Sequence, residues 1–349
     1  MGPASYLQRL TERLAGALAR LPHETRARHV AYLQGKQNPD GGFPDREGGS
    51  DLYYTGFALR GLAVLDALSP EVCTRAADFL RNSLTRQASV VDFYSLLYAC
   101  LLVQASGGPD VLALSPPDWP DRVAATLETF RTADGGYAKT AGNPGGSTYH
   151  TFLVGLCYEL LGRSLPRPDE VIRFVLSRRR EDGGFVEIAP MRRSGTNPTA
   201  AAVGLFQLLE QSLVPNPSPP PPPRSGEGEK DKFCAPSPKR GGGGGEGLSP
   251  LGLSSEVRDG VIAFLAEMPS FEGGMRANGR APLADLLSTF TATWTLEQLG
   301  ALGRIDTSAA LGYARSVEAE TGGFHGGLWD EGLDVEYTFY GLGVLGLLT

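Results

Sequence analysis

The chain has 349 residues, of which 41% are hydrophobic and 20% charged, and it carries a formal net charge of −7 with a pI near 5.3. That length supports a large core, and the acidic balance excludes non-specific binding to nucleic acid. No apolar run reaches the roughly 20 residues of a membrane-spanning helix, no signal peptide is visible, and Cys73, Cys100, Cys157 and Cys234 lack CxxC spacing, so a reducing, cytoplasmic setting is expected.

Residues 1–22 carry charges throughout and predict an amphipathic extra helix ahead of the main domain. Two kinds of segment then alternate. Glu24–Gln34, Asp121–Arg131, Val171–Arg180, Glu256–Glu267 and Ser308–Ala319 mix charges with apolar residues at three-to-four spacing, as an outer, half-solvated helix does. Tyr54–Leu68, Asp92–Gln104, Thr148–Leu161, Thr199–Leu209, Asp285–Leu299 and Tyr337–Leu348 are apolar or small nearly all round, which predicts inner, buried helices.

Between outer and inner segments stands a pair of glycines followed by an apolar anchor: Phe43, Tyr137, Phe185, Met275 or Phe324. The pairs begin at Gly41, Gly135, Gly183, Gly273 and Gly322, and a threonine follows each one at Thr55, Thr151, Thr199, Thr289 and Thr338. Four of these separations are 16 residues and the first is 14, so the pattern is a structural register. A helix often ends on a residue at positive φ, where glycine escapes the Cβ penalty, and a second glycine lets the loop turn sharply. The step from Gly41 to Gly135 fits two periods with one pair lost, which brings the count to six units in a single domain.

Leu213–Leu253 interrupts the register with a polyproline run, Pro219–Pro223, and a polyglycine run, Gly241–Gly245. Such material buries no core and predicts a disordered insertion, with docking of a polyproline-binding partner as its functional reading. The domain is therefore expected in two stretches, 23–212 and 254–349. Alternating outer and inner helices run either as an open solenoid or as a ring. The apolar last helix, ending in Gly341–Thr349 without a polar cap, favours closure.

Polar residues at the starts of inner helices have two readings. Asp51, Asp285 and Asp334 each precede the repeat threonine by four residues, the place of a helix N-cap. Alternatively these carboxylates, with Glu336 and His150, converge on one rim and bind a divalent ion or polarise a substrate. His325, Trp329, Asp330 and Glu331 form a last-loop cluster read as rim solvation, and Arg192, Arg193, Arg276 and Arg280 are loop cations able to meet an anionic head group. No DxDD run, DDxxD-like magnesium motif or nucleophile elbow occurs.

The stretches YLQGKQNPDGGFPDREGGSDLYYTGFALRGLAVL and ETGGFHGGLWDEGLDVEYTFYGLGVLGLL resemble the repeats of protein prenyltransferase β subunits, in the superfamily that also holds squalene-hopene-type cyclases. The resemblance covers about Glu24–Thr349 apart from the insertion. It implies an all-α fold, a closed six-repeat α/α toroid with a central funnel, an isoprenoid diphosphate or other apolar ligand, and an α-helical partner subunit. It also implies a zinc site from an Asp-x-Cys pair in the fifth unit and a His in the sixth. Here those positions are Asp285, Leu287 and Tyr337, so two of three ligands are absent and zinc is not expected. The family's diphosphate-neutralising positions correspond to Tyr149, Gly195 and Ser288. Prenyl transfer then places Asp285 near the acceptor and Arg276 or Arg280 near the diphosphate, with Tyr149, His150, Phe152, Asp334, Glu336 and Tyr337 as further substrate contacts. A non-catalytic toroid that binds isoprenoids, lipids or proteins is the alternative.

Overall fold

A computed structural model describes residues 4–85, 87–213 and 253–349. Apart from its two end residues, the expected insertion lies outside them. Thirteen α-helices among these residues carry the fold, with two short hairpins, β1 (Phe43–Pro44) with β2 (Ser50–Asp51) and β3 (Phe324–His325) with β4 (Leu333–Asp334). After α1 (Tyr6–Leu18), an outer layer of α2 (His23–Gly35), α4 (Pro70–Ser83), α6 (Trp119–Glu128), α8 (Pro168–Ser177), α10 (Ser255–Ala266) and α12 (Thr307–Ser316) alternates with an inner layer. The inner helices are α3 (Leu52–Val64), α5 (Val90–Ala105), α7 (Thr148–Leu160), α9 (Thr196–Leu213), α11 (Leu286–Gln298) and α13 (Val335–Leu348). Each inner helix packs on the next, and α13 packs on α3, so the contacts run in a circuit. No described helix is long and apolar enough to cross a membrane.

The outer helix of the second unit, α4, is the element that the repeat register does not announce. Its unit has lost the glycine pair, and α5 begins instead with a capping box of Ser89 and Asp92. The glycines of the other units also differ from a helix-end role. Gly41 lies six residues beyond the end of α2, in a tight turn closed by Gly41 N donating to the Asn38 carbonyl at 2.9 Å. What demands glycine there is a φ of 90° together with close approach to the next outer helix: a Cβ would lie 1.9 Å from the Arg75 carbonyl oxygen of α4. Gly322 meets the Arg28 carbonyl of α2 in the same way, at 2.3 Å, which joins the sixth unit to the first.

The repeat threonine explains the fixed spacing. Buried Thr151 accepts from Tyr137 N at 2.9 Å and donates to the Ser147 carbonyl at 2.7 Å, pinning the loop anchor to the first turn of the inner helix. Thr55, Thr199 and Thr289 accept from Phe43 N, Phe185 N and Met275 N at 2.9 Å, and Thr338 from Phe324 N at 3.3 Å. The seam between last and first units has a further tie. His29 of α2 accepts at Nδ1 from Gly323 N at 3.1 Å, which leaves Nε2–H to donate to Glu318 at 3.0 Å, and Arg28 pairs with the same carboxylate.

Helix α1 closes one end of the ring. It packs on α13, α3 and α9, across the C-terminal ends of the inner helices. Arg13 donates to the Gly346 and Leu347 carbonyls at 3.1 and 3.3 Å and pairs with Glu297 at 2.8 Å, supplying cation and donors where helix ends leave free carbonyls. Its apolar face, Tyr6, Leu7, Leu10, Leu14 and Leu18, is buried against the ring.

Candidate functional site

The inner layer surrounds a cavity of about 360 Å³, within the range of small-molecule sites. Its wall follows the threonine register. The lining residues of the inner helices are drawn from the positions two before the repeat threonine and one, two and five after it, an i, i+3, i+4, i+7 stripe on one helix face that is complete on α3, α7 and α11 and reduced to Tyr340 on α13. Two before stand Tyr53, Tyr149, Asn197 and Leu287; five after stand Arg60, Leu156 and Trp294. On α5, Phe93 holds the threonine's place, and Tyr94, Ser95 and Tyr98 complete the stripe. Tyr6, Leu7 and Leu10 of α1 form the floor, where Trp294 Nε1 donates to the Tyr6 hydroxyl at 2.9 Å.

The mouth, at the inner-helix N-termini, is acidic. Glu187 lines it, held by Ser147 Oγ and by Tyr149 N at 3.3 Å, and burial raises its carboxyl against those hydrogen bonds. Glu336 accepts from the Tyr53 and Tyr340 hydroxyls at 2.6 and 3.3 Å, and burial raises it likewise. Each tyrosine lines the cavity, so Glu336 acts on the wall through them.

The residues singled out from sequence separate into three groups. Tyr149 and Phe152 line the cavity, and Glu336 is bonded to its wall. Asp285, Asp334, Tyr337 and His150 belong to the helix-cap layer at the mouth and are not among the lining residues. Asp285 caps α11, accepting from Ser288 N at 2.6 Å and Ser288 Oγ at 2.9 Å, and burial raises its carboxyl. Asp334 caps α13 through Tyr337 N at 2.8 Å and pairs with Arg46 at 2.6 Å, while the Arg46 guanidinium sits 5.5 Å from the Tyr337 ring centre. His150 shares Ser147 Oγ at 2.7 Å, and burial with nearby Lys139 lowers it to about 4. Arg276 donates to the Glu267 and Met268 carbonyls at 2.6 and 3.3 Å, and Arg280, like Arg192 and Arg193, is exposed; none of the four lines the cavity.

The donors do not fit the zinc site that the resemblance implies. Both Asp285 oxygens are engaged by Ser288, Leu287 offers no donor atom, and Tyr337 lies beneath a guanidinium. Among the described residues no group of three or more His, Cys, Asp or Glu side chains is placed to hold a metal ion.

Sequence reading passes over most of the wall beyond Tyr149 and Phe152, and among the described residues the one cation it misses there is Arg60. Its signal is a charge five residues after Thr55, inside a helix otherwise apolar or small on that face. The guanidinium carbon stands 4.0, 4.8 and 5.6 Å from the ring centres of Phe339, Phe57 and Tyr98.

A ring of six inner and six outer helices around an apolar cavity defines an α/α toroid. The sequence matches the prenyltransferase alpha-alpha toroid domain over residues 18–78, 73–214 and 245–349, and the chain belongs to that family. Among solved structures it is similar to Candida albicans protein geranylgeranyltransferase-I complexed with GGPP, at 13% identity, TM-score 0.59, covering 99% of this chain and 92% of that one. The GH76A α-1,6-mannanase of Salegentibacter sp. HEL1_6 matches at 11% identity and TM-score 0.56, over 97% and 98% of the two chains. The type II terpene cyclase MstE of Scytonema matches at 13% and 0.54, over 97% of each. At these identities the likeness is one of fold. No curated protein matches the sequence.

Proposed function

We propose that this toroid binds an isoprenoid chain inside its cavity and serves a prenyl-related function. The observation that carries the reading is the wall itself: a register-built stripe of tyrosine, phenylalanine, tryptophan and leucine side chains, closed below by α1 and open toward the inner-helix N-termini. Aromatic faces and aliphatic edges suit a branched, unsaturated hydrocarbon, and burial of each CH₂ contributes about 0.8 kcal/mol. Family membership and the geranylgeranyl diphosphate named for one structural relative support the same chemistry.

Binding without transfer is the reading that the mouth favours. Its acidic groups, Glu187 and Glu336, oppose a diphosphate there, and Arg46 is occupied by Asp330 and Asp334. Transfer of a farnesyl or geranylgeranyl group from its diphosphate is the second reading, favoured by Arg60, a cation within the wall. Titration of the purified chain with farnesyl and geranylgeranyl diphosphate and the matching alcohols, followed by tryptophan fluorescence, tests both, with pyrophosphate release measured alongside. Saturable binding of diphosphate and alcohol without release supports the binding protein, and release with an added thiol or hydroxyl acceptor supports transfer. No saturable binding of any of the four would remove the isoprenoid reading.

A further inference from the structure

Among the described residues that line the cavity, Arg60 is the only arginine or lysine. It sits on α3 inside the ring, and its accessible surface opens onto the cavity. The arginines that support the scaffold spend their donors on protein: Arg28 on Glu318, Arg131 on Glu128, Arg178 on Asp134, Arg46 on Asp330 and Asp334. Arg60 spends none. Among the described residues its guanidinium makes ring contacts and neither an ion pair nor a hydrogen bond.

Ring faces partly stabilise the charge but leave five N–H donors unused. An enclosed cation without a counter-ion is costly, and a bound anion offsets that cost through charge-assisted, bidentate hydrogen bonds. The depth of the group matters as much as its charge. Arg60 is seven residues along α3 from Tyr53 at the mouth, about 10 Å of helix rise. Beside it, the Tyr98 hydroxyl is hydrogen-bonded at 3.0 Å to Thr11 of the floor helix. Thus Arg60 is rooted on the floor side of the wall, with its guanidinium among Phe57, Tyr98 and Phe339, while Glu187 and Glu336 stand at the mouth.

We propose that Arg60 anchors the anionic head group, a phosphate or a carboxylate, of an apolar-chain ligand that lies head inward with its tail toward the mouth. This deepens the isoprenoid reading and rests on it for the nature of the chain. The polarity follows from the cavity's own field: an anion is repelled by the carboxylates at the rim and held by Arg60 inside, and the aromatic stripe takes the hydrocarbon.

Calorimetric titration with farnesyl phosphate, farnesoic acid, farnesol and dodecyl phosphate, on the full chain and on Arg60→Gln and Arg60→Lys, decides it. The wild type should bind farnesyl phosphate about tenfold to a hundredfold more tightly than farnesol. Arg60→Gln should erase that preference, lowering farnesyl phosphate affinity at least about tenfold more than farnesol affinity, and Arg60→Lys should fall between. Preference for farnesoic acid over farnesyl phosphate would assign the head as a carboxylate, and the reverse as a phosphate. An anthraniloyl label on the tail terminus should be tolerated and the same label on the head excluded. Equal loss of farnesol and farnesyl phosphate affinity in Arg60→Gln, with a lowered melting temperature, would make Arg60 a packing residue and overturn the proposal. So would equal wild-type affinity for the two ligands, a result that needs no variant to fold and leaves isoprenoid binding standing. Arg60-dependent binding of dodecyl phosphate without binding of any farnesyl compound would keep the anchor and remove the isoprenoid chain.

Discussion

The loop layer and the cavity wall are built on one register and use it in opposite ways. In the loops the same residues recur because each repeats a backbone contact: a glycine against the next outer helix, a threonine holding the loop anchor. In the wall the equivalent positions differ from unit to unit, as Tyr53, Tyr149, Asn197, Leu287 and Glu336 show two residues before the threonine. Five residues after it the series is Arg60, Leu156, Gly204, Trp294 and Gly343. Repetition marks the positions that hold the ring together, and departure from repetition marks those that face what the ring encloses.

Substitutions in the two layers should therefore separate stability from binding. The largest effect belongs to Gly322→Ala, where a Cβ would stand 2.3 Å from the Arg28 carbonyl at a φ of 91°. Strain and the collision together should cost about 3 kcal/mol or more in chemical denaturation; wild-type stability would show that the closure of the last unit on the first carries little energy.

The same seam predicts an acid limb. Burial would raise the Glu318 carboxyl, but hydrogen bonds from His29 and Arg28 overcome it and hold it at about 2, below its ordinary 4.5. A depressed native pKa means the unfolded chain takes up this proton first, so the contribution is complete above about pH 4.5 and is lost as pH falls to about 2. It is on the order of 3 kcal/mol. The melting temperature of Glu318→Gln should change less than that of the wild type across this window, and parallel curves would locate the acid sensitivity elsewhere.

Thr289→Val keeps the shape and removes the acceptor of the buried Met275 amide, for an expected loss of about 1–3 kcal/mol. A neutral result would mean that the threonines set the register without contributing stability. The smallest stability effect is expected in the wall. Ala200→Leu adds volume into the cavity, so folding stability should change by less than about 1 kcal/mol while affinity for a farnesyl ligand falls about tenfold. Unchanged affinity would place the ligand outside this cavity.

Much of the scaffold was legible in sequence because its causes are local. Thr151 and Gly135 have counterparts at fixed spacing since a hydrogen bond and a close approach fix them in five of the six units, and the apolar Tyr337–Leu348 run marks an inner helix. The unit that lost its glycine pair hid α4, whose cap residues Ser69 and Pro70 were the remaining signal. The site was less legible. The Asp285 and Asp334 positions read correctly as helix caps, yet whether a residue beside them faces the cavity depends on helix rotation. The stripe counted from the threonine would have found Arg60.

Sequence by itself determined the repeat and the two helix classes, since these follow from periodicity and side-chain chemistry along the chain. Tertiary structure alone decided that α1 floors the cavity, that His29 and Glu318 join the ends of the ring, and that Arg60 stands inside it with no carboxylate partner among the described residues. Those relations bring together residues nearly three hundred positions apart, as the His29–Glu318 separation of 289 shows. They exist only once six units have closed on one another, and no local preference encodes that.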